Sequence, residues 1–146
     1  HINDKPWIVV LGGDKKYTTI FGNFLTLCGY GDRTAYAEMD VASSAIVKLG
    51  QNGFLATKVS YFNVIADLCE AHGVDYNTVR DAITIDDRIN SKHTDVPGWD
   101  GMRGYGGHCL PKDISALARA VQDNDILASV ITYNGRIRGG KDIQTQ

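Results

Sequence analysis

The sequence contains few cysteines, few prolines and no excess of charge of one sign. Its 146 residues include three cysteines, three prolines, 15 basic and 17 acidic side chains, for a formal net charge of −2. An odd number of cysteines without a CxxC spacing argues against a disulfide framework and against a structural zinc site. A nearly neutral chain has no general attraction to nucleic acid or to anionic lipid, so we expect neither partner.

Long apolar runs are also missing. No stretch approaches the roughly 18 to 20 apolar residues that cross a bilayer, and the opening HINDKPW lacks the regions of a secretory signal. These absences favour a cytoplasmic protein with a small-molecule ligand. The chain is 43% hydrophobic and 22% charged, which is typical of a globular protein with room for one ordinary domain.

The first part of the sequence has the pattern of a strand, a helix and a second strand. The run PWIVVLGG predicts a buried strand, the segment from Asp14 to Cys28 has apolar residues at helical spacing, and RTAYAEM predicts a short strand. Three such elements cannot close a core alone. We therefore interpret residues 1–37 as the end of a larger α/β domain.

The middle of the sequence predicts one long helix and the second half several short ones. No proline occurs between Asp40, a candidate N-cap, and His72, and apolar side chains on two faces of this segment predict burial between layers or subunits. Further helices are predicted at TVRDAITIDDRI, capped by Asp75 or Asn77, at PKDISALARAVQ and at DILASVITYNGRI, with a polar tail after them. Between the first two of these lies a loop of about twenty residues, a length typical of functional or disordered segments.

The stretch GYGGHCLPKD, residues 104–113, combines glycines with a cysteine, a lysine and an aspartate. Cys109 lies two residues before Pro111, which suits a first helical position, so its sulfur is expected near the N–H groups of a helix start and near Lys112. Both features favour the thiolate, and the glycines allow a ligand to approach the backbone. A glycine-rich turn with an inert cysteine fits the same residues, so the local pattern leaves both interpretations open.

Polar residues at other positions fit the same kind of site. Asp113 follows Cys109 by four residues, in the predicted first turn of the helix, where a carboxylate either stabilises the helix dipole or faces the thiol as a base. On the long helix, Lys48 and Asn52 lie four residues apart on one face, and Asn63 returns close to the same line. This polar stripe is either a solvated face or part of a site.

Two glycines interrupt the long helix beside this stripe. Gly50 and Gly53 each lower helix stability by about 1 kcal/mol relative to alanine, which indicates that something comes close to the backbone there. Arg88, in DDRI, is predicted to end a short helix, where it either complements the helix dipole or binds an anion.

Three other patterns are not expected to form a catalytic or binding site. GRIRGGKD has aspartate where a phosphate-binding loop needs serine or threonine, so it is interpreted as a tail. His93, His108 and Cys109 have no fourth ligand at a regular spacing, so no metal site is expected. Cys28 and Cys69 lie on apolar helical faces and are predicted to be core residues.

Taken in order, the motifs resemble one family. VKLGQNGFLATKVSYFN, then DDRI, then SKHTDVPGWDGMRGYGGHCLPKD, followed by SALARA, resemble the UDP-glucose/GDP-mannose dehydrogenase family over about residues 38–138. The resemblance implies a mainly α fold, a long central helix with shorter packed helices like the C-terminal domain of 6-phosphogluconate dehydrogenase. It also implies that residues 1–37 are the C-terminal remnant of a dinucleotide-binding domain, that 38–138 form a substrate-binding and dimerisation domain, and that 139–146 are a polar tail.

The family oxidises the C6 alcohol of a nucleotide sugar to a carboxylate with NAD, through a thiohemiacetal and a thioester. The resemblance implies that Cys109 is the nucleophile and that Lys48 and Asn52 stabilise the oxygen at C6. It assigns Asp113 to the positioning or activation of water.

The resemblance also implies binding residues and a partner. It places the sugar nucleotide on Gly104, Tyr105, Gly106 and Gly107, and assigns Lys112 to cofactor contact. Arg88 corresponds to an arginine that reaches the substrate across a dimer interface, and the homodimer is expected to form through helix 40–72.

The sequence also departs from the family pattern. Ser44 and Ala45 stand where the family usually has Ala-Glu, and Val64 stands where it usually has glutamate. No GxGxxG follows a strand, so we expect the isolated chain to have little or no activity. The alternatives are a dimerisation or binding module without catalysis, or the same chemistry on GDP-mannose or a UDP-N-acetyl sugar.

Overall fold

The computed structural model describes residues 6–30, 34–121 and 124–139. These residues contain five α-helices and one two-stranded parallel sheet, which confirms the predicted mainly α fold with a small α/β part before a long helix. They form two compact units, which meet in the chain between Lys48 and Leu49. No helix in these ranges is both long and apolar enough to cross a membrane.

The first unit contains the predicted strand, helix and strand. Strand β1 (Ile8–Gly12) lies parallel to β2 (Ala35–Met39), and helix α1 (Lys15–Leu25) connects them and continues as a π-helical turn (Thr26–Tyr30). Cys28 lies in this turn and is exposed, so its prediction as a core residue was wrong. The helical spacing does place Cys28 on an apolar face, but β1 and β2 do not cover the end of that face.

The predicted long helix, α2 (Val41–His72), has 32 residues. At its start Asp40 Oδ1 accepts a 2.9 Å hydrogen bond from the Ser43 backbone N–H, which is the expected cap. At its end Gly73 has φ +66°, the left-handed conformation that commonly stops a helix. Local capping therefore determines both ends.

The two apolar faces of α2 have different environments. Ala56, Phe62 and Cys69 are buried, with 0%, 1% and 4% of their surface exposed. On the other face Phe54 and Leu68 remain 65% and 56% exposed. One face therefore packs within the second unit, and the other is an uncovered apolar surface.

Helix α3 (Tyr76–Thr84) is capped by Asp75 and ends earlier than predicted. Arg88 lies in the turns that follow, so the prediction that it ends a helix was wrong. Asp86 explains the early end: its Oδ1 accepts a 3.0 Å hydrogen bond from the Arg88 backbone N–H. Such a local side-chain bond competes with helical pairing.

Helix α4 (Cys109–Ala120) starts two residues before the predicted Pro111, whereas α5 (Asp125–Ile137) has the predicted bounds. Proline is tolerated here because the first N–H groups of a helix have no partner within it. Cys109 therefore lies within the first turn and Asp113 in the second turn, which corrects the predicted first-turn position of Asp113.

The core of the second unit joins α2, α4, α5 and the glycine-rich loop. It is centred on Ala56, Tyr105 and Ile114, with partly buried apolar neighbours at Val59, Leu110, Leu127, Val130 and Ile131. Gly53 allows α2 and α4 to approach closely, because a Cβ there would lie 2.8 Å from Leu117 Cδ2. Gly50 has no atom of this kind within 4 Å, so the predicted close approach holds at Gly53 alone.

Candidate functional site

A buried polar cluster joins α2 to α4. Asp113 is 2% exposed, and its Oδ2 accepts a 2.5 Å hydrogen bond from Asn52 Nδ2. Its Oδ1 pairs with the ammonium of Lys112, whose side chain is 53% exposed. Two residues that the sequence assigned to catalysis, 61 positions apart, are thus in direct contact. A buried carboxylate is stable here because an amide and a cation satisfy its two oxygens.

Cys109 lies one helical turn from this cluster along α4. Cys109 is exposed and precedes Asp113 by four residues on α4, so the two side chains share one face. Lys48 is exposed and precedes Asn52 by four residues on α2. An exposed thiol at the start of a helix has the accessibility that a nucleophile requires.

The three cysteines provide an internal comparison for the reactivity of Cys109. Cys28 and Cys109 are exposed and Cys69 is buried. We expect iodoacetamide at neutral pH to alkylate Cys109 at least about threefold faster than Cys28, because only Cys109 lies at a helix start with a lysine nearby. Mass spectrometry of labelled peptides over time measures the three rates.

Cys28 is the matched control, because it is accessible but lies at the C-terminal end of a helical segment. Cys69, which is 4% exposed, is the buried comparison and is expected to react the most slowly of the three. Equal labelling rates for Cys28 and Cys109 would contradict activation at the helix start.

The glycine-rich loop precedes α4 and has left-handed conformations at two of the predicted binding glycines. Gly104 has φ +78° and Gly107 has φ +76°, a region that favours glycine. The Gly104 N–H donates a 3.1 Å hydrogen bond to Asn63 Oδ1. Asn63 was predicted as part of the polar stripe of α2, and its contact is with the loop rather than with the Asn52 cluster.

Tyr105 belongs both to the hydrophobic core and to the lining of a pocket. Its side chain is 4% exposed in the core, and burial raises the pKa of its hydroxyl to about 12. It also borders a pocket of about 340 Å³ together with Trp99, Gly104, Gly106 and Leu110. The side chains of Lys92 and His93 contribute basic groups to the same lining. A volume of this size, with polar and aromatic walls, is within the range of small-ligand sites.

Lys58 binds the backbone just before Lys92 and His93, the two basic residues of this pocket. Its ammonium donates hydrogen bonds to the carbonyls of Ile89 and Asn90, at 2.6 and 3.0 Å. Burial lowers the pKa of Lys58, and partial burial followed by the charge of Lys58 lowers the pKa of His93. The imidazole is therefore disposed to be neutral at neutral pH.

The hydrogen bonds and the ion pair of the Arg88 side chain are with Asp86 rather than with the other predicted site residues. Its side chain is 89% exposed, and its Nη2 pairs with Asp86 Oδ2 at 2.5 Å. That pairing and its charge-assisted hydrogen bonds raise the pKa of the guanidinium. An exposed arginine on a turn is available to another molecule, and its predicted contact across a dimer interface stays a prediction.

Several residues that support the loop were missed by the sequence reasoning. Arg103 Nη2 donates a 2.9 Å hydrogen bond to the Asn63 carbonyl and pairs with Asp67 on α2. Asn134 and Arg138, on α5 and at its C-cap, also bond to the loop. The sequence signal that could have predicted these contacts is the spacing of Asn134 and Arg138, two polar residues four positions apart at the end of an apolar helix.

No metal site is formed by the described ranges of the chain, where no three His, Cys, Asp or Glu side chains come together. A second groove, of about 460 Å³, is lined by Cys69, Tyr76 and Arg103 among others and contains none of the predicted site residues.

A solved structure defines the class of the fold. The chain superposes on a UDP-glucose dehydrogenase from the hyperthermophilic archaeon Pyrobaculum islandicum with a TM-score of 0.69 and 26% identity, over 92% of this chain and 29% of that one. The fold is thus that of part of a nucleotide-sugar dehydrogenase.

Curated relatives agree with this class. The chain is 42% identical to a UDP-glucose 6-dehydrogenase of Rhizobium meliloti over 83 residues, which is 57% of this chain and 18% of the relative. It is 32% identical to the UDP-glucose 6-dehydrogenase AglM of Haloferax volcanii over 119 residues, which is 80% of this chain and 26% of the relative. The matches thus span about a fifth to a quarter of the relatives' length.

The sequence model of the UDP-glucose/GDP-mannose dehydrogenase family, central domain, matches residues 42–137. The chain therefore belongs to this family, as its motifs predicted.

Proposed function

We propose that these residues form the substrate-binding and dimerisation segment of an NAD-dependent dehydrogenase that converts UDP-glucose to UDP-glucuronate. The observation that carries the proposal is the buried contact between Asn52 and Asp113, one turn from the exposed thiol of Cys109. The names of the curated relatives support UDP-glucose as the substrate. GDP-mannose and UDP-N-acetyl sugars remain the alternative substrates for the same chemistry.

Cys109 acts as the nucleophile at the aldehyde stage of the proposed reaction. Its sulfur adds to the C6 carbonyl carbon, and the electron pair of the broken π bond moves to the oxygen, which becomes the oxyanion of a thiohemiacetal. Asn52, an amide donor, and Lys48, a cation four residues before it in the sequence, stabilise that oxygen. Such donors act most strongly where they are held in place before the charge develops.

Asp113 acts on water in the final hydrolysis of the thioester. Its carboxylate accepts hydrogen bonds from Asn52 and pairs with Lys112, so both oxygens are oriented before a water molecule arrives. A carboxylate held in this way positions the water and accepts its proton as the C–S bond breaks. The proton that Cys109 needs as it leaves comes from the same water.

The described residues do not build a dinucleotide-binding site by themselves. Strand β1 is followed by Gly13 and Asp14, so the GxGxxG turn that binds a pyrophosphate after a first strand is absent from this part of the chain. Lys112 is the proposed NAD contact, and its ammonium is already paired with Asp113. We therefore propose that the isolated chain is inactive.

The uncovered apolar face of α2 supports the proposed homodimer. Phe54, Tyr61 and Leu68 are each more than half exposed along this face. Contiguous apolar surface of this kind is typical of interaction sites. Arg88, which is also exposed, then reaches the substrate of the partner subunit.

Titration with UDP-glucose tests the proposal. We expect saturable binding that Arg88→Ala weakens at least about tenfold, because a charge-assisted hydrogen bond to phosphate is lost. Arg119→Ala, which removes an exposed arginine elsewhere on α4, is the matched control and should bind as the wild type does. Isothermal calorimetry measures the dissociation constants, with GDP-mannose and a UDP-N-acetyl sugar as competitors.

The outcomes separate the proposal from a module without catalysis. No binding of any nucleotide sugar by a stable dimer, measured by light scattering, would favour the module, which the apolar face of α2 also supports. Production of NADH from NAD and UDP-glucose by this chain alone would contradict the expected inactivity.

A further inference from the structure

The end of α5 presents a buried amide to the backbone of the glycine-rich loop. Asn134 is 5% exposed. Its Oδ1 accepts a 2.8 Å hydrogen bond from the Tyr105 N–H, and its Nδ2 donates a 3.0 Å hydrogen bond to the Tyr105 carbonyl. An amide side chain offers a separate acceptor oxygen and donor nitrogen, which match the two backbone groups of Tyr105. Both backbone groups of Tyr105 are thus held by one side chain.

The loop approaches Asn134 closely because position 104 is glycine. A Cβ at Gly104 would lie inside contact distance of Asn134 Oδ1 and 3.0 Å from Ile137 Cδ1. The absence of a side chain at position 104 therefore leaves the space that the amide of Asn134 occupies. The sequence GYGG is shaped to fit α5 as well as to bind a ligand.

Arg138, four residues after Asn134 and at the C-cap of α5, binds the same loop. It is 6% exposed, and its Nη2 donates a 2.8 Å hydrogen bond to Asp100 Oδ2. Its Nη1 donates to the carbonyls of Arg103 and Gly104, at 3.3 and 3.4 Å. A Cβ at Gly106 would lie 2.5 Å from Arg138 Nη2, so the guanidinium fills the space beneath that glycine.

These contacts connect the loop to the reacting group. The loop continues from Gly106 and Gly107 into Cys109, at the start of α4, without an intervening element. Any change in the path of residues 104–106 therefore moves both the glycine backbone and the thiol. Neither Asn134 nor Arg138 lines the pocket beside the loop.

We propose that Asn134 and Arg138 are positioning residues of the candidate site: they hold loop 100–106 in the conformation that presents the backbone of Gly106 and Gly107 and the Cys109 thiol to a nucleotide sugar. The part of this inference that concerns the nucleotide sugar rests on the function proposed above. Residues held by packing and hydrogen bonds on a rigid helix are the means by which sites keep their geometry.

The test uses Asn134→Asp in the full chain. Aspartate keeps the shape of asparagine and the acceptor for the Tyr105 N–H, but it loses the donor and places a carboxylate against the Tyr105 carbonyl. Thr132→Asp adds the same charge at an exposed position of α5 and is the matched control. Arg138→Lys, which keeps the charge and loses the forked geometry, is the second variant.

Three measurements are made on folded protein, with circular dichroism as the check of folding. In Asn134→Asp and Arg138→Lys we expect amide hydrogen exchange at residues 104–107 to accelerate at least about tenfold. We expect the Cys109 alkylation rate to change at least about threefold and the dissociation constant of UDP-glucose to rise at least about tenfold. Thr132→Asp should stay within about twofold of the wild type in all three.

The inference would be overturned if Asn134→Asp and Arg138→Lys fold and have the same hydrogen-exchange rates, Cys109 alkylation rate and UDP-glucose affinity as Thr132→Asp. A lower melting temperature with unchanged affinity of the folded protein would also overturn it, because the two residues would then act on stability alone. Should Asn134→Asp not fold, Arg138→Lys decides between these results. Absence of UDP-glucose binding by the wild type would overturn the proposed function, and exchange and alkylation would still decide whether the loop is positioned by α5.

Discussion

Gly104→Ala is expected to lower the free energy of unfolding by about 2 to 4 kcal/mol, from the left-handed backbone and from overpacking together. Position 104 has φ +78°, and the added Cβ would collide with Asn134 Oδ1 and lie 3.0 Å from Ile137 Cδ1. Asn134 cannot move away from this Cβ without breaking its bonds to Tyr105. Urea unfolding followed by circular dichroism measures the change.

Gly101→Ala is the matched control for this prediction. Gly101 has φ +73°, and a Cβ there would have no atom within 4 Å apart from those of its chain neighbours. Alanine at position 101 therefore has the backbone strain without the collision, and we expect the free energy of unfolding to fall by about 1 kcal/mol. Equal losses at both positions would show that the fit between Gly104 and α5 contributes nothing.

Arg138→Met is expected to lower the free energy of unfolding by about 3 kcal/mol, the usual effect of removing one partner of a buried ion pair. The side chain of Arg138 is 5% exposed and that of Asp100 is 21% exposed, so solvent cannot fully replace the lost donor. The carbonyls of Arg103 and Gly104 lose the same donor. Arg136→Met removes an exposed arginine from α5, and we expect a change within about 0.5 kcal/mol.

The same ion pair predicts a dependence on pH. The hydrogen bond from Arg138 holds the pKa of Asp100 below its ordinary value of 3.8. A carboxyl with a depressed pKa stabilises the fold above its ordinary value, and this contribution is lost as the pH falls through the depressed value. The difference in stability between the wild type and Arg138→Met should therefore be full at pH 7 and shrink below about pH 4. A constant difference would contradict the pairing.

Much of the fold could be predicted because its signals are local. Asp40, Gly73 and Asp75 mark helix ends within a few residues of themselves, and the structure shows each in that role. The bounds of α5 followed from helical spacing in the same way. Local signals failed where a side chain competed with the helix, as at Asp86, or where burial depended on distant elements, as at Cys28.

The candidate site was predictable only through the order of its motifs. Spacing placed Cys109 and Asp113 on one helix and Lys48 and Asn52 on another, but no periodicity connects the two helices. The family resemblance brought them together, and the Asn52–Asp113 contact now joins the two helices directly. The roles of these residues in catalysis stay predictions until substrate binding and thiol reactivity are measured.

The sequence by itself determined most of the helices and strands and the glycine-rich loop with its cysteine, because each depends on residues close together in the chain, and the order of its motifs determined the family. The tertiary structure alone decided what shapes that loop. Asn134 meets Tyr105 across 29 positions, and Arg138 meets Gly104 across 34. Such contacts depend on the packing of α2, α4 and α5 around Ala56 and Ile114, so no local pattern in the sequence predicts them.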